Sequence, residues 1–272
     1  MKTITKKIFI LILLVSTLAT CNKRKPDDVV IPHDKHPEYN EYSSVKGTLK
    51  LHIHNYIDET EVEAYGTTYT FLNNGRKISI SMAQLYLSNI HLIRPDGSTY
   101  HVKDTIILKT QNELAYSLGK IPAGNYKSIR FDVGLSPEVN ALSPGAGKPS
   151  PLNASNMWFG PTAQPDGYIF MNVQGKIDTT TSASAPESHM ASFIYRIGTN
   201  ENLKTVTMPK KNYTIMPDKT NFLHLKINYA KLFSSIDLRN PSNLIVYSAA
   251  DNSSSLAKTL TQNIISMFSY EK

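Results

Sequence analysis

The chain has 272 residues and a formal net charge of +7, with 40% hydrophobic and 19% charged residues. Only 13 glycines, 15 prolines and a single cysteine exclude a collagen-like repeat, a disordered chain and a disulfide scaffold. What remains is a globular chain with enough apolar residues for a sizeable core, and 15 tyrosines against one tryptophan favour strands.

Residues 1–20 have the pattern of a secretory signal. Lys2, Lys6 and Lys7 precede an apolar run from Ile8 to Val15, and small residues follow. The run is too short to make a good membrane span. Leu18-Ala19-Thr20-Cys21 resembles a bacterial lipobox, in which the cysteine becomes the lipidated first residue of the mature chain. The alternative is a chance cysteine beside an ordinary cleavage site. With Cys21 acylated, the expected location is the cell envelope, anchored to a membrane, most simply the outer membrane. Removing the leader lowers the net charge from +7 to +4. Beyond Lys23-Arg24-Lys25 there is no basic run or basic-aromatic patch, so nucleic acid is not an expected partner. Residues 21–45 are polar and proline-punctuated and have little apolar periodicity. They read as the lipidated cysteine and its tether, with His33 and His36 in solvent.

From residue 46 to 272 the pattern is that of one domain. Leu49, Leu51, Ile53 and Asn55 alternate with Thr48, Lys50, His52 and His54, which predicts a strand over 47–57. Further strands are predicted at 67–72, 77–87, 88–93, 100–109, 126–133, 167–178, 191–197, 203–209, 213–216 and 222–228. Turn signals at Asn73-Asn74-Gly75, Arg94-Pro95-Asp96-Gly97 and Ile121-Pro122-Ala123-Gly124-Asn125 separate several of them. Residues 134–156, rich in Pro, Ser, Gly and Asn, read as a long loop, and 179–188 as a polar excursion. Leu256, Leu260, Ile264 and Met267 have near-helical spacing, so a short helix is predicted over Leu256–Phe268, capped by Ser253, Ser254 or Ser255. Many short strands with turns between them predict an all-β fold, a single antiparallel β-sandwich with long loops and a short C-terminal helix.

The chain has no phosphate-binding glycine loop, nucleophile elbow, His-Glu-x-x-His or CxxC, so it is not expected to be an enzyme. Two features carry chemistry. His52 and His54, at i and i+2, put two imidazoles on one strand face, and imidazole suits copper, zinc or nickel. Spacing alone favours the plainer reading of two histidines on the solvent face. Met157-Trp158 closes the long loop and offers a thioether beside the sole tryptophan, or else packing at a sheet edge. His91 and His101 fall within strand patterns, and His224 alternates away from Leu223 and Leu225.

The order of motifs resembles the methanobactin-associated periplasmic, or MbnP-like, family, whose kin include copper-repressible surface proteins of methanotrophs. The matching stretches are 83–92 followed by Asp96-Gly97, 121–126, 129–134, and a Pro-rich loop closing on Met157-Trp158. Gly167-Tyr168-Ile169-Phe170, Gly175 and a terminal Asn263 with Met267-Phe268 follow. Members of the Bacteroidetes-type branch are often lipoproteins, in keeping with Cys21. The resemblance implies a secreted β-sandwich; in some members copper is bound by histidines together with an oxidised tryptophan, kynurenine, made by a di-haem peroxidase-like partner. Carried onto this chain, Trp158 matches the family's Met-Trp motif, and His54 sits on the first strand. The expected metal set is therefore His52 and His54 with Trp158 and Met157 nearby, and the expected role is copper handling. The chain departs from the pattern at Arg196, where many members have histidine. It also lacks a second tryptophan in 159–166 and has Asn228 at a frequent aspartate. A guanidinium stays protonated and does not ligate. The alternative reading is a metal-free surface module that binds a protein or glycan through the 134–156 loop and exposed tyrosines.

Overall fold

Strict alternation on the first strand sets the frame. In β1 (Lys46–Ile57) every second residue is buried, with Leu49, Leu51, Ile53, Asn55 and Ile57 on the inner face. The structure, a computed structural model, describes residues 45–144, 151–160 and 167–271. The leader, Cys21, and the tether up to residue 44 lie outside the described residues.

After β1 come β2 (Thr60–Glu61), β3 (Thr68–Thr70), the long β4 (Lys77–Ile93), β5 (Thr99–His101) and β6 (Ile107–Lys109). Next are β7 (Ala115–Pro122), β8 (Gly124–Tyr126), β9 (Ser128–Val133) and a one-turn helix α1 (Pro137–Asn140). The chain continues through β10 (Ile169–Ile177), β11 (Ala191–Gly198), β12 (Lys204–Thr207) and β13 (Tyr213–Ile215). It ends with β14 (Thr220–Asn228), β15 (Ile245–Val246), α2 (Ser255–Met267) and β16 (Phe268–Tyr270).

The strands form two main sheets. The first runs β16-β14-β1-β2, with β7 also on β1. The second runs β12-β9-β4-β10-β11-β15, with β3, β5 and β6 on β4, and β13 and β8 make a separate pair. The fold is an all-β sandwich. Leu49, Leu51 and Ile53 of the first sheet share one apolar core with Leu85, Leu87, Phe131 and Val173 of the second and with Leu260 and Ile264 of α2. Ser254 caps α2 by accepting from the Ala257 amide at 3.2 Å, as the serine run predicts. The helix ends at Met267, one residue before the expected end, because Phe268 begins the strand that pairs with β14.

Other differences from expectation have local causes. Segments 77–87 and 88–93 are one strand, and Asn89 at φ 48° bulges where β4 changes its register with β9. The predicted strand 100–109 divides into β5 and β6 because Asp104 takes a left-handed turn conformation at φ 53°. Two pairings are parallel, β1 with β14 and β11 with β15, and the other pairings among the described residues are antiparallel. Two motif glycines are required by packing. A Cβ on Gly134, at φ 123°, would lie 2.6 Å from the Phe170 ring, and one on Gly175 would lie 2.0 Å from the Ser79 carbonyl.

A second apolar cluster holds Tyr86, Leu135, Val139, Leu152, Met157, Tyr168, Ile169 and Phe170. Tyr86 points away from Leu85 and Leu87, which face the main core. This cluster therefore lies on the far face of the second sheet, under residues 135–139 and 152–158. Among the described residues no helix is long and apolar enough to cross a membrane.

Candidate metal centre

The outer face of β1 carries His52, His54 and Tyr56 in a row, opposite its buried leucines and isoleucines. Parallel register sets His52 directly beside His224 and His54 beside Lys226. Strand alternation on both strands then turns three imidazoles to the same side of the sheet. Their ligand-type nitrogens lie within 4.8 Å of one another. His52 Nδ1 is 3.2 Å from His224 Nδ1 and 3.3 Å from His54 Nε2. The His52 ring sits edge-on to His54 and His224, at centroid distances of 4.4 and 4.8 Å.

Two carboxylates frame the cluster. β2 pairs antiparallel with the end of β1, which sets Glu61 opposite Tyr56 and brings its Oε1 onto His54 Nδ1. A carboxylate accepts, so His54 carries its proton on Nδ1, and the lone pair of Nε2 faces the other imidazoles. On the other side β16 pairs with β14, and the Glu271 amide donates to the His224 carbonyl at 3.3 Å. This registers the Glu271 carboxylate over His224, with Oε2 3.2 Å from His224 Nδ1. Tyr56 donates its hydroxyl to Glu271 Oε1 at 3.0 Å. Lys226 lies 4.1 Å over the Tyr56 ring and bonds Glu59 Oε2 at 3.0 Å.

Burial and the close neighbours shift three groups of the cluster. Partial burial, followed by the neighbouring His54 and His224, lowers the pKa of His52 and so favours its neutral form. Burial acts to raise the Glu271 carboxyl, but the Tyr56 hydrogen bond and the charges of His54 and His224 outweigh it and hold it below the usual range. The Tyr56 hydroxyl is pushed up to about 12, first by burial and then by its bond to Glu271, so it remains a donor. The His224 side chain is 44% exposed, which leaves the cluster open to solvent. Three imidazoles gathered on one face, in partial contact with water, fit copper, zinc or nickel.

The expected site residues divide into two groups. His52 and His54 stand together on the outer face of the first sheet. Met157 and Trp158 do not join them, and the expectation of one shared site is corrected here. Met157 is fully buried in the cluster behind the second sheet, its thioether enclosed by packing. Trp158 bridges Tyr168 and meets its ring edge-on at 4.8 Å. Both sheets and the main core stand between that pair and the imidazoles.

Arg196 is also on the second sheet, stacked 4.1 Å over Tyr247. Asn228 is occupied in capping, its Oδ1 accepting from the amides of Asp58 at 2.9 Å and Ala230 at 3.0 Å. His91 and His101 stack on each other at 4.5 Å in the β4–β5 pair. Leu135, Val139 and Leu152 of the long loop point into the far-face cluster, while Leu142 is exposed.

The third imidazole, His224, was not visible as a site residue from the sequence, because its neighbour is 172 positions away. Glu61 and Glu271 were missed too. The alternation of Leu223, His224 and Leu225 was the only local signal.

A sequence comparison with curated proteins finds no match. Among solved structures, MbnP from Methylosinus trichosporium is similar, with 16% identity over 71% of this chain and 80% of that one and a TM-score of 0.49. The MbnP family model matches residues 46–248, from the first residue of β1 to beyond β15. The chain belongs to the MbnP family.

Proposed function

We propose that this protein is an exported copper-binding protein, anchored in the envelope through Cys21, that holds its metal with His52, His54 and His224. The observation that supports this most is the convergence of three imidazole nitrogens within 4.8 Å on a solvent-reached sheet face. Three imidazoles are a common ligand set for copper and zinc, and a partly open site lets the ion enter. The role is capture or handling without turnover. Trp158 lies outside this ligand set, so a di-haem peroxidase-like partner, if one acts on the chain, works at a different place from the histidines.

Copper titrated into the purified full chain against a competing chelator tests this. One equivalent held tightly, and lost when His52, His54 and His224 are changed to Ala, is the expected result. His33→Ala with His36→Ala should leave it intact. No copper above the nonspecific background would end the copper reading. Membrane fractionation of Cys21→Ala tests the anchor: the variant should leave the membrane fraction.

A further inference from the structure

The two carboxylates beside the imidazoles are placed differently. Glu61 meets the outer nitrogen of His54, on the side away from the cluster. Glu271 turns an oxygen inward, with Oε2 3.2 Å from His224 Nδ1 and 3.9 Å from His54 Nε2. Together with the 3.2 and 3.3 Å separations from His52 Nδ1, these atoms close a ring of four donors. Four donors at about 2.0–2.1 Å from a tetrahedral ion stand about 3.3–3.4 Å apart. A tetrahedron has six such edges; of the four around this ring, three fall close to that value and the one from Glu271 to His54 is longer, at 3.9 Å. The other oxygen of Glu271 accepts from Tyr56, which fixes the rotation of the carboxylate, and the chain on either side is pinned. The Glu271 amide bonds the His224 carbonyl, and the Glu271 carbonyl accepts from Lys211 Nζ at 2.6 Å.

Resting on the metal-binding reading above, we propose that Glu271 Oε2 is the fourth ligand of this site and that the three-imidazole, one-carboxylate set takes a divalent cation, Cu(II) or Zn(II), in preference to Cu(I). A carboxylate is a hard, charged donor and adds most to the ion of higher charge. Cu(I) prefers soft sulfur, and the thioether of Met157 is enclosed behind the other sheet. Glu61 and Tyr56 are positioning residues: one directs the lone pair of His54 inward, and the other turns the Glu271 carboxylate.

The test is chelator competition on the full chain with Cu(II), Zn(II) and Cu(I), comparing wild type with Glu271→Gln and Glu271→Ala. Cu(II) and Zn(II) affinities should fall by about 10–100-fold, with Cu(I) affinity within about threefold and the metal-free melting temperature little changed. Cu(II) electron paramagnetic resonance should change between wild type and variant. Unchanged Cu(II) affinity overturns the assignment and leaves the three-histidine site standing. Equal losses for Cu(I) and Cu(II) overturn it too, because they report a structural role. A wild-type chain that takes no metal overturns both this assignment and the metal reading. If Glu271→Ala fails to fold, Tyr56→Phe decides: a selective loss for Cu(II) supports the ligand, and an equal loss for both ions overturns it.

Discussion

The two outer faces of the sandwich start from the same strand alternation and end differently. Behind the second sheet, Leu135, Val139 and Leu152 pack on Tyr86, Tyr168 and Phe170, and Met157 is buried among them. In front of the first sheet, β1 and β14 leave His52, His54, Tyr56, His224 and Lys226 partly exposed, with the imidazoles in contact, Tyr56 bonded to Glu271 and Lys226 to Glu59. One face is closed by apolar packing and the other is an open polar network. Side chains that look equally able to ligate in a sequence take their role from what covers them. A thioether under a loop packs, while an imidazole on an uncovered strand can bind.

Substitutions can break that contrast, and the largest expected effect is on the closed face. Met157→Ala should cost about 2–5 kcal/mol of stability in denaturant titrations and leave metal affinity unchanged. A loss of metal with intact folding would link the two faces. A second large effect belongs to the same sheet. Lys109 of β6 is fully buried, its Nζ donating to the Thr110 and Glu113 carbonyls, and burial lowers its pKa to about 8. Its folded value lies below its unfolded one of about 10.5, so the unfolded chain binds more protons between these limits. Stability should therefore rise as pH goes from about 8 to 10.5, by up to about 3 kcal/mol from this group. Comparing that slope with the slope in Lys109→Met checks it, because the variant should lose the contribution even if its absolute stability differs.

On the open face the effect should be on binding rather than folding. Glu61→Gln should weaken metal binding by about 10-fold by releasing His54 from its inward orientation, with little change in melting temperature. The smallest effect returns to the closed face. Trp158→Phe keeps an aromatic edge against Tyr168 and should cost about 1 kcal/mol, with metal affinity unchanged. A marked loss of metal in Trp158→Phe would show that the tryptophan acts at the histidines after all.

Much of the frame was legible because it rests on local rules. Alternation in 47–57 placed His52 and His54 on one face, and the helix and its serine cap followed from spacing and side-chain type. β7 was not legible as a strand, and its end at Ile121-Pro122 was read as part of a turn, because Gly119 at φ 78° interrupts the alternation of Tyr116, Leu118 and Ile121. The candidate site was half legible. His224 joins it through a parallel pairing that no local pattern encodes. Glu271 joins through β16, a three-residue strand directly after a helix. Met157 and Trp158 were read from their chemistry, but their surroundings are set by a loop folding over a distant sheet.

The pairing of β1 with β14 also governs when the imidazoles can meet. These strands are 172 positions apart at His52 and His224, so their contact closes nearly the whole domain. Loop closure on that scale is slow, and a chain emerging end first carries its histidines apart until β14 arrives. An ion held across β1, β14 and the residue after β16 would act as a clasp on the finished domain. It would stabilise the completed fold by mass action and add little to any truncated chain that lacks its last strands.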